Sequence, residues 1–262
     1  MFHKLESLWM IEYRAITVEP FITQAATEEM KDFVACALGK ELAKAEPDIV
    51  PLIMEEEDKR YAVITGNSIK GLFRSIISAQ LTKAGKRVCV QNVKLGGNRI
   101  DGRREQCEPE NPCFVCKWFG TAGRPGALHF SFLRSVKPIE EVLVSDPIPM
   151  IAIRDDTKAI SKGAFLLVAP VKRGVEFKGW IKGENLDEVI IGALVEVFEM
   201  SKAGFVQVGG LKTRGYGRIS MEITGIKEYN GAPFELKREY FGEELKEFLE
   251  MCRREYHDFL RS

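Results

Sequence analysis

The spacing of hydrophobic and polar positions changes several times along the chain. Residues 8–18 (LWMIEYRAITV) are rich in β-branched and aromatic types, which predicts a strand. Residues 27–45 carry helix formers behind Thr27, a residue suited to an N-cap. A short β-prone piece at 63–65 precedes GNSIKGLFRSIISAQLTKAG, in which Ile69, Leu72, Phe73, Ile76 and Ile77 share one helical face. Residues 85–127 show no period and read as irregular.

Farther on, ALHFSF (127–132) alternates as a strand does. IPMIAIRDD, a Lys-bearing polar stretch, GAFLLVAPV and GVEFKGWI together predict a long hairpin. Residues 186–203 read as a helix with Val189, Ile190, Leu194, Val197 and Phe198 inward. Strands at 205–208 and 218–223 flank a glycine-rich loop. The final segment is an amphipathic helix whose apolar stripe is Phe241, Leu245, Phe248, Leu249, Cys252, Tyr256 and Leu260. Strand–helix–strand passages mixed with antiparallel hairpins predict an α+β fold, not a doubly wound sheet.

Composition adds bounds. The 262 residues suffice for one large domain or two small ones, and 45% hydrophobic with 29% charged residues is ordinary for a globular chain. No apolar run approaches the roughly 18 residues that span a bilayer. Charges interrupt MFHKLESLWMIEYR, so no signal peptide is expected, and the expectation is a cytoplasmic protein without membrane partners. Lys plus Arg equals Asp plus Glu, 38 each, so any polyanion site must come from local segregation of charge. Residues 81–106 hold seven bases (Lys83, Lys86, Arg87, Lys94, Arg99, Arg103, Arg104) against Asp101 and Glu105. That run fits an anion-binding face or a solvated one.

Cys89, Cys107, Cys113 and Cys116 follow the spacing C-x17-C-x5-C-x2-C amid Gly, Pro, Asn and charge. Thiols clustered in a loop of a cytosolic chain point to a closed, structural Zn²⁺ site, with buried unligated thiols as the alternative. CFVC does not open a helix after a strand, which argues against thioredoxin-like redox chemistry. Cys36 and Cys252 fall on apolar helical stripes and read as core.

Two glycine-bearing loops carry the remaining chemistry. GNSIKG (66–71) joins a strand to a helix, so Asn67 or Ser68 can cap that helix while N–H groups point outward, with Lys70 and Arg74 one turn apart. GGLKTRGYGR (209–218) brings Lys212, Arg214 and Arg218. Neither matches a Walker A loop, and GYG starts a strand where a dinucleotide fingerprint must open a helix. Each alone is compatible with turn chemistry; together, both basic, they favour an extended polyanion.

GNSIKG with Arg74 resembles the GSS-L-K-G-x-x-R element of the CRISPR-associated RAMP superfamily. Cys107…Cys113-x-x-Cys116-x-x-Phe119-Gly120, a thumb-like segment at 151–177, and the Gly209-Gly210…Arg214-Gly215-Tyr216-Gly217-Arg218 loop match that family in order. The likeness is to the multi-copy backbone subunit of type III (Csm/Cmr-like) interference complexes. It implies one domain over 1–262, a modified ferredoxin-like (RNA-recognition-motif) core with a helical lid at about 27–60, a zinc lobe at 83–127 and a thumb hairpin at 151–178.

The resemblance further implies guide RNA, target RNA, further copies of the chain and other type III effector subunits as partners. Lys70, Arg74, Lys212 and Arg214 would contact guide phosphates, with Asn67, Ser68, Gly209 and Gly210 giving close backbone approach. Such contacts position RNA without reading its sequence. The family's target-cleaving aspartate precedes a proline; Asp48, before Pro51, is the candidate here, with Glu46 and Asp58 as alternatives. Mg²⁺ or Mn²⁺ would assist attack of the ribose 2′-OH on the adjacent phosphate. The competing readings are a catalytically inactive structural subunit and a guide-processing endoribonuclease. About 45 residues after Gly217, a zinc lobe and a thumb speak against the last.

Overall fold

The computed structural model describes residues 4–23, 31, 34, 47–89, 95–96, 99–100, 107–108, 110–121, 123–153, 156 and 160–262. The helix expected over 27–45, Cys36 and Glu46 lie outside the described residues, except that Lys31 and Val34 are helical. In chain order the elements are β1 (Ser7–Thr17), β2 (Ile53–Glu56), β3 (Lys59–Ile64), α1 (Gly66–Lys83), β4 (Leu95–Gly96), β5 (Arg99–Ile100), α2 (Phe114–Phe119), β6 (Leu128–Phe130), β7 (Leu133–Ser135), α3 (Ile139–Val142), β8 (Ile148–Ile153), β9 (Ile160–Val168), β10 (Glu176–Glu184), α4 (Glu188–Lys202), β11 (Ile219–Asn230), β12 (Leu236–Tyr240) and α5 (Gly242–Arg261).

β1 shows why a layered fold follows. Its residues alternate, with Trp9, Ile11, Tyr13 and Ala15 buried on one side and more open positions between them. β1 sits inside an antiparallel sheet of order β12-β11-β1-β10-β7-β3-β2, with β6 also paired to β10. The helices α1 and α4 cover its buried face. Tyr13 meets Phe198 of α4 edge-on at 5.3 Å, and Phe198 meets Phe73 of α1 at 5.4 Å. Burying each such ring contributes about 1.5–3 kcal/mol. The Tyr13 hydroxyl has no partner there, and burial raises its pKa.

The expected α+β class is what the sheet and helices show, and the strongly periodic segments formed as expected. α1 buries Ile69, Phe73, Ile77 and Leu81, and α4 buries Ile190, Leu194, Val197 and Phe198. α5 buries Leu245, Cys252 and Tyr256 against α4, where Gly192 lies so close to the Cys252 carbonyl that a Cβ would collide with it. Burial also pushes the Cys252 thiol up to about 12, as a core cysteine requires. Among the described residues no helix is long and apolar enough to cross a membrane.

Local expectations differ in places, and the strand expected at 205–208 is only a single bridge from Gln207 to Arg218. The long hairpin is β8 with β9, closed within 148–168, while GVEFKGWI becomes β10 and pairs with β1. The segment 53–64 forms a hairpin, β2 with β3, whose polar composition masked it. CFVC opens a short helix, with Cys113 as the N-cap of α2, but no strand runs into it among the described residues, so the expected departure from a thioredoxin-like arrangement stands.

Candidate nucleic-acid interface and metal centre

α1 begins two to three residues earlier than the expected cap at Asn67 or Ser68. Thr65 is the N-cap, its hydroxyl accepting the Ser68 N–H at 3.2 Å, so Asn67 and Ser68 sit exposed in the first helical turn instead of capping it. That turn carries no acid, which leaves the partial positive charge of the N-terminus uncompensated. Gly66 is packing: a Cβ there would strike the Phe130 carbonyl of β6. Gly71 is different. It lies inside a helix, where glycine costs up to about 1 kcal/mol against alanine, and nothing stands within 4 Å of where its Cβ would be.

The second glycine segment folds on itself. Gly209 adopts φ +78°, and a Cβ would collide with the Ile22 carbonyl, so only glycine fits. Leu211 takes the left-handed conformation at φ 56° and leads into a single 3₁₀ turn, Lys212–Arg214. Gln207 braces the loop from below, its side-chain amide donating to the Lys212 and Tyr216 carbonyls at 3.2 and 3.3 Å. Gly210 has only the Ile22 methyl at 4.0 Å and leaves its surface open.

The two turns face each other across one cleft of about 560 Å³. Asn67, Ser68 and Gly71 line one wall; Gly209, Gly210 and Lys212 line the other. Thr23, Thr65, Ser75 and Gln207 add hydroxyl and amide groups that motif reading did not single out. Helical spacing could have found Ser75, two turns from Ser68 on the same face. The remaining expected contacts lie off these walls. Lys70 is half-buried on the adjoining face of α1, where burial first and then the Arg74 charge hold its pKa below the ordinary lysine value. Arg74 turns away, donating to the Gly120 carbonyl at 3.0 Å. Arg214 is exposed, its guanidinium 3.8 Å from the Met150 sulfur at the foot of the β8–β9 hairpin.

Asp48 lies at the base of that hairpin. Its carboxylate Oδ2 accepts the Leu167 N–H at 2.7 Å, and its own N–H donates to the Leu167 carbonyl at 2.8 Å. The residue is otherwise exposed. Asp58, an alternative from the sequence, occupies the two-residue turn between β2 and β3 with φ 61°, beside Glu57 at φ 49°. Both are left-handed, as a primed hairpin turn requires, so turn geometry accounts for Asp58. His129 stands exposed on β6.

The four cysteines come together as their spacing predicts. The Sγ atoms of Cys89, Cys107, Cys113 and Cys116 all lie within 4.8 Å of one another, with Cys89 and Cys116 at 3.2 Å. Zn–S bonds of about 2.3 Å in a tetrahedron place sulfurs about 3.8 Å apart, so the donor set fits zinc. The Cys113 N–H donates to the Cys107 sulfur at 3.3 Å. Burial alone would raise the Cys113 thiol, but backbone N–H groups of Cys89 and Cys116 and the neighbouring thiols bring it down to about 7. Burial raises the thiols of Cys107 and Cys116. Around the cluster, Phe119 stacks on Phe130 at 6.0 Å and Phe114 on Phe259 of α5 at 5.2 Å. The cysteine lobe therefore joins the sheet to the C-terminal helix.

Against models of protein families, residues 45–220, well over half of the chain, match the RAMP superfamily. A comparison with curated proteins gave no match.

Proposed function

This chain belongs to the RAMP superfamily, whose members take CRISPR-associated RNA-binding roles, and on that premise we propose that it holds a guide RNA backbone as the filament-forming subunit of a type III (Csm/Cmr-like) effector complex. One observation carries the reading: two glycine-bearing turns, far apart in sequence, form opposite walls of one cleft. An uncompensated helix N-terminus on one side and Lys212 on the other suit a phosphate. Gly71 and Gly210 present open backbone surface, so a sugar-phosphate chain can approach closely. Lys70 and Arg214 extend the positive charge beyond the cleft. No base-reading pocket is needed, because a subunit serving any guide must ignore sequence.

The strand order β11-β1-β10-β7, with α1 and α4 as crossovers, supports a modified ferredoxin-like core. The cysteine lobe, the β8–β9 hairpin as thumb and the lid would then be insertions into one domain. Target cleavage belongs to the same proposal, with Asp48 beside the thumb orienting the 2′-OH or holding Mg²⁺ or Mn²⁺. A second reading, an inactive structural subunit, is favoured by the bond from Leu167, which already gives the Asp48 carboxylate a structural task.

The test of RNA binding is a salt titration with single-stranded guide RNA, wild type against the Lys70→Gln/Lys212→Gln double variant. Losing two phosphate contacts should flatten the slope of log K against log salt by about 1.4. A slope and affinity equal to wild type would remove the cleft from the RNA path.

A further inference from the structure

We propose that Arg74 is a positioning residue of the four-cysteine centre, supporting the Cys116 sulfur and locking α1 to α2. The side chain is half-buried and does not line the cleft. Its Nη1 donates to the Gly120 carbonyl at 3.0 Å, and its Nη2 lies 3.9 Å from Cys116 Sγ. Nε is buried without a partner, so burial has been accepted for the sake of the two outer nitrogens.

The chemistry explains why a guanidinium suits this place. Four thiolates around one Zn²⁺ leave a net double negative charge, which is costly away from water unless cations or N–H donors face the sulfurs. Cys113 N–H faces Cys107, and Arg74 brings a full charge to Cys116. Both of its acceptors belong to one short helix, since Cys116 lies in α2 and Gly120 is the C-cap of α2. The Gly120 bond also satisfies a carbonyl at a helix C-terminus, where a cation is favoured. A rigid fork can serve both groups at once, and it keeps its charge at any physiological pH. A lysine ammonium is a single point and cannot span them. Arg74 is also carried by the helix whose N-terminus forms a cleft wall, so its bond to Gly120 ties that helix to the cysteine lobe.

The inference stands on the cysteine cluster and does not depend on RNA binding. Its test uses the full-length zinc-loaded protein with Arg74→Gln and Arg74→Lys. Zinc transfer to a chromogenic chelator should accelerate about tenfold or more in the glutamine variant, with lysine intermediate, as loss of an outer partner of a metal ligand does. In Co²⁺-substituted protein the thiolate-to-metal charge-transfer band should shift in the glutamine variant, because the Cys116 sulfur loses its N–H partner. Release rates and spectra equal to wild type in both variants overturn the inference. So does normal zinc retention combined with a salt slope for RNA lowered by about 0.7, which would make Arg74 a phosphate ligand. If the glutamine variant does not fold, the lysine variant decides: wild-type release and spectrum overturn the proposal, faster release with a shifted band supports it. A wild-type protein that retains no zinc ends it too.

Discussion

Asp48 Oδ2 accepts the backbone N–H of Leu167 at 2.7 Å, which pins the acidic loop to strand β9 of the hairpin. Replacing Asp48 by alanine therefore removes a charge and a structural bond together. Asp48→Asn separates them, since an amide oxygen can still accept the Leu167 N–H. Assembled complexes carrying Asp48→Asn should fold and bind guide as wild type does, yet lose at least about a hundredfold in cleavage of complementary RNA with Mg²⁺ or Mn²⁺. Asparagine cutting at the wild-type rate, with only alanine impaired, would reassign Asp48 to architecture.

The glycines of the cleft should separate into two kinds. Gly71→Ala fills empty space on an existing helix, so thermal unfolding should show stabilisation of about 0.5–1 kcal/mol. The same change should weaken RNA binding, because the new methyl projects toward the path of the backbone. Gly209→Ala should behave oppositely in stability, losing more than about 1 kcal/mol, since φ +78° and the Ile22 carbonyl both exclude a side chain. Equal stabilities for the two variants would contradict this division.

Metal removal should loosen more than the lobe. Phe114 stacks on Phe259, and Lys86 sits over the same Phe259 ring at 4.7 Å, so the end of α5 rests on the cysteine lobe. Chelation should lower Tm by roughly 10 °C, the shift that about 3–4 kcal/mol produces in a chain of this size. Cys116→Ser should show the lowered Tm without chelator. A melting curve indifferent to both would exclude a structural metal.

The packing of α4 on α5 has its own signature in acid. Burial would raise Glu196, but hydrogen bonds from Arg253 at 2.7 Å and His257 at 3.1 Å prevail and hold its carboxyl below the usual range. A carboxyl lowered by folding stabilises the fold fully above its unfolded value of about 4.3 and loses that contribution as pH falls through the lower folded value. The Tm advantage of wild type over Glu196→Gln should thus hold near neutrality and shrink below about pH 4. An advantage that grows in acid would reverse the assignment.

Much of this was written locally. The 3.6-residue period of Ile69, Phe73 and Ile77, the alternation in β1, and the spacing of the four cysteines each depend on neighbours a few positions away, so the elements and the thiol cluster were legible. The edge strand β12 was not, because LKREY is exposed at four of its five positions and carries no buried-face pattern. Nor was the pairing of Tyr13 with Gly179 in β10, a register chosen by contacts across most of the chain.

The cleft divides the same way. Both glycine motifs could be read from residue types, and with them Asn67, Ser68, Gly210 and Lys212. Which glycine faces open space, which is held by a carbonyl, and which way Arg74 turns could not be read. Sequence carries what repeats over one or two turns of backbone. The direction of a long side chain, and the atom that a Cβ would meet, are set by segments distant in sequence, and only the packed structure decides them.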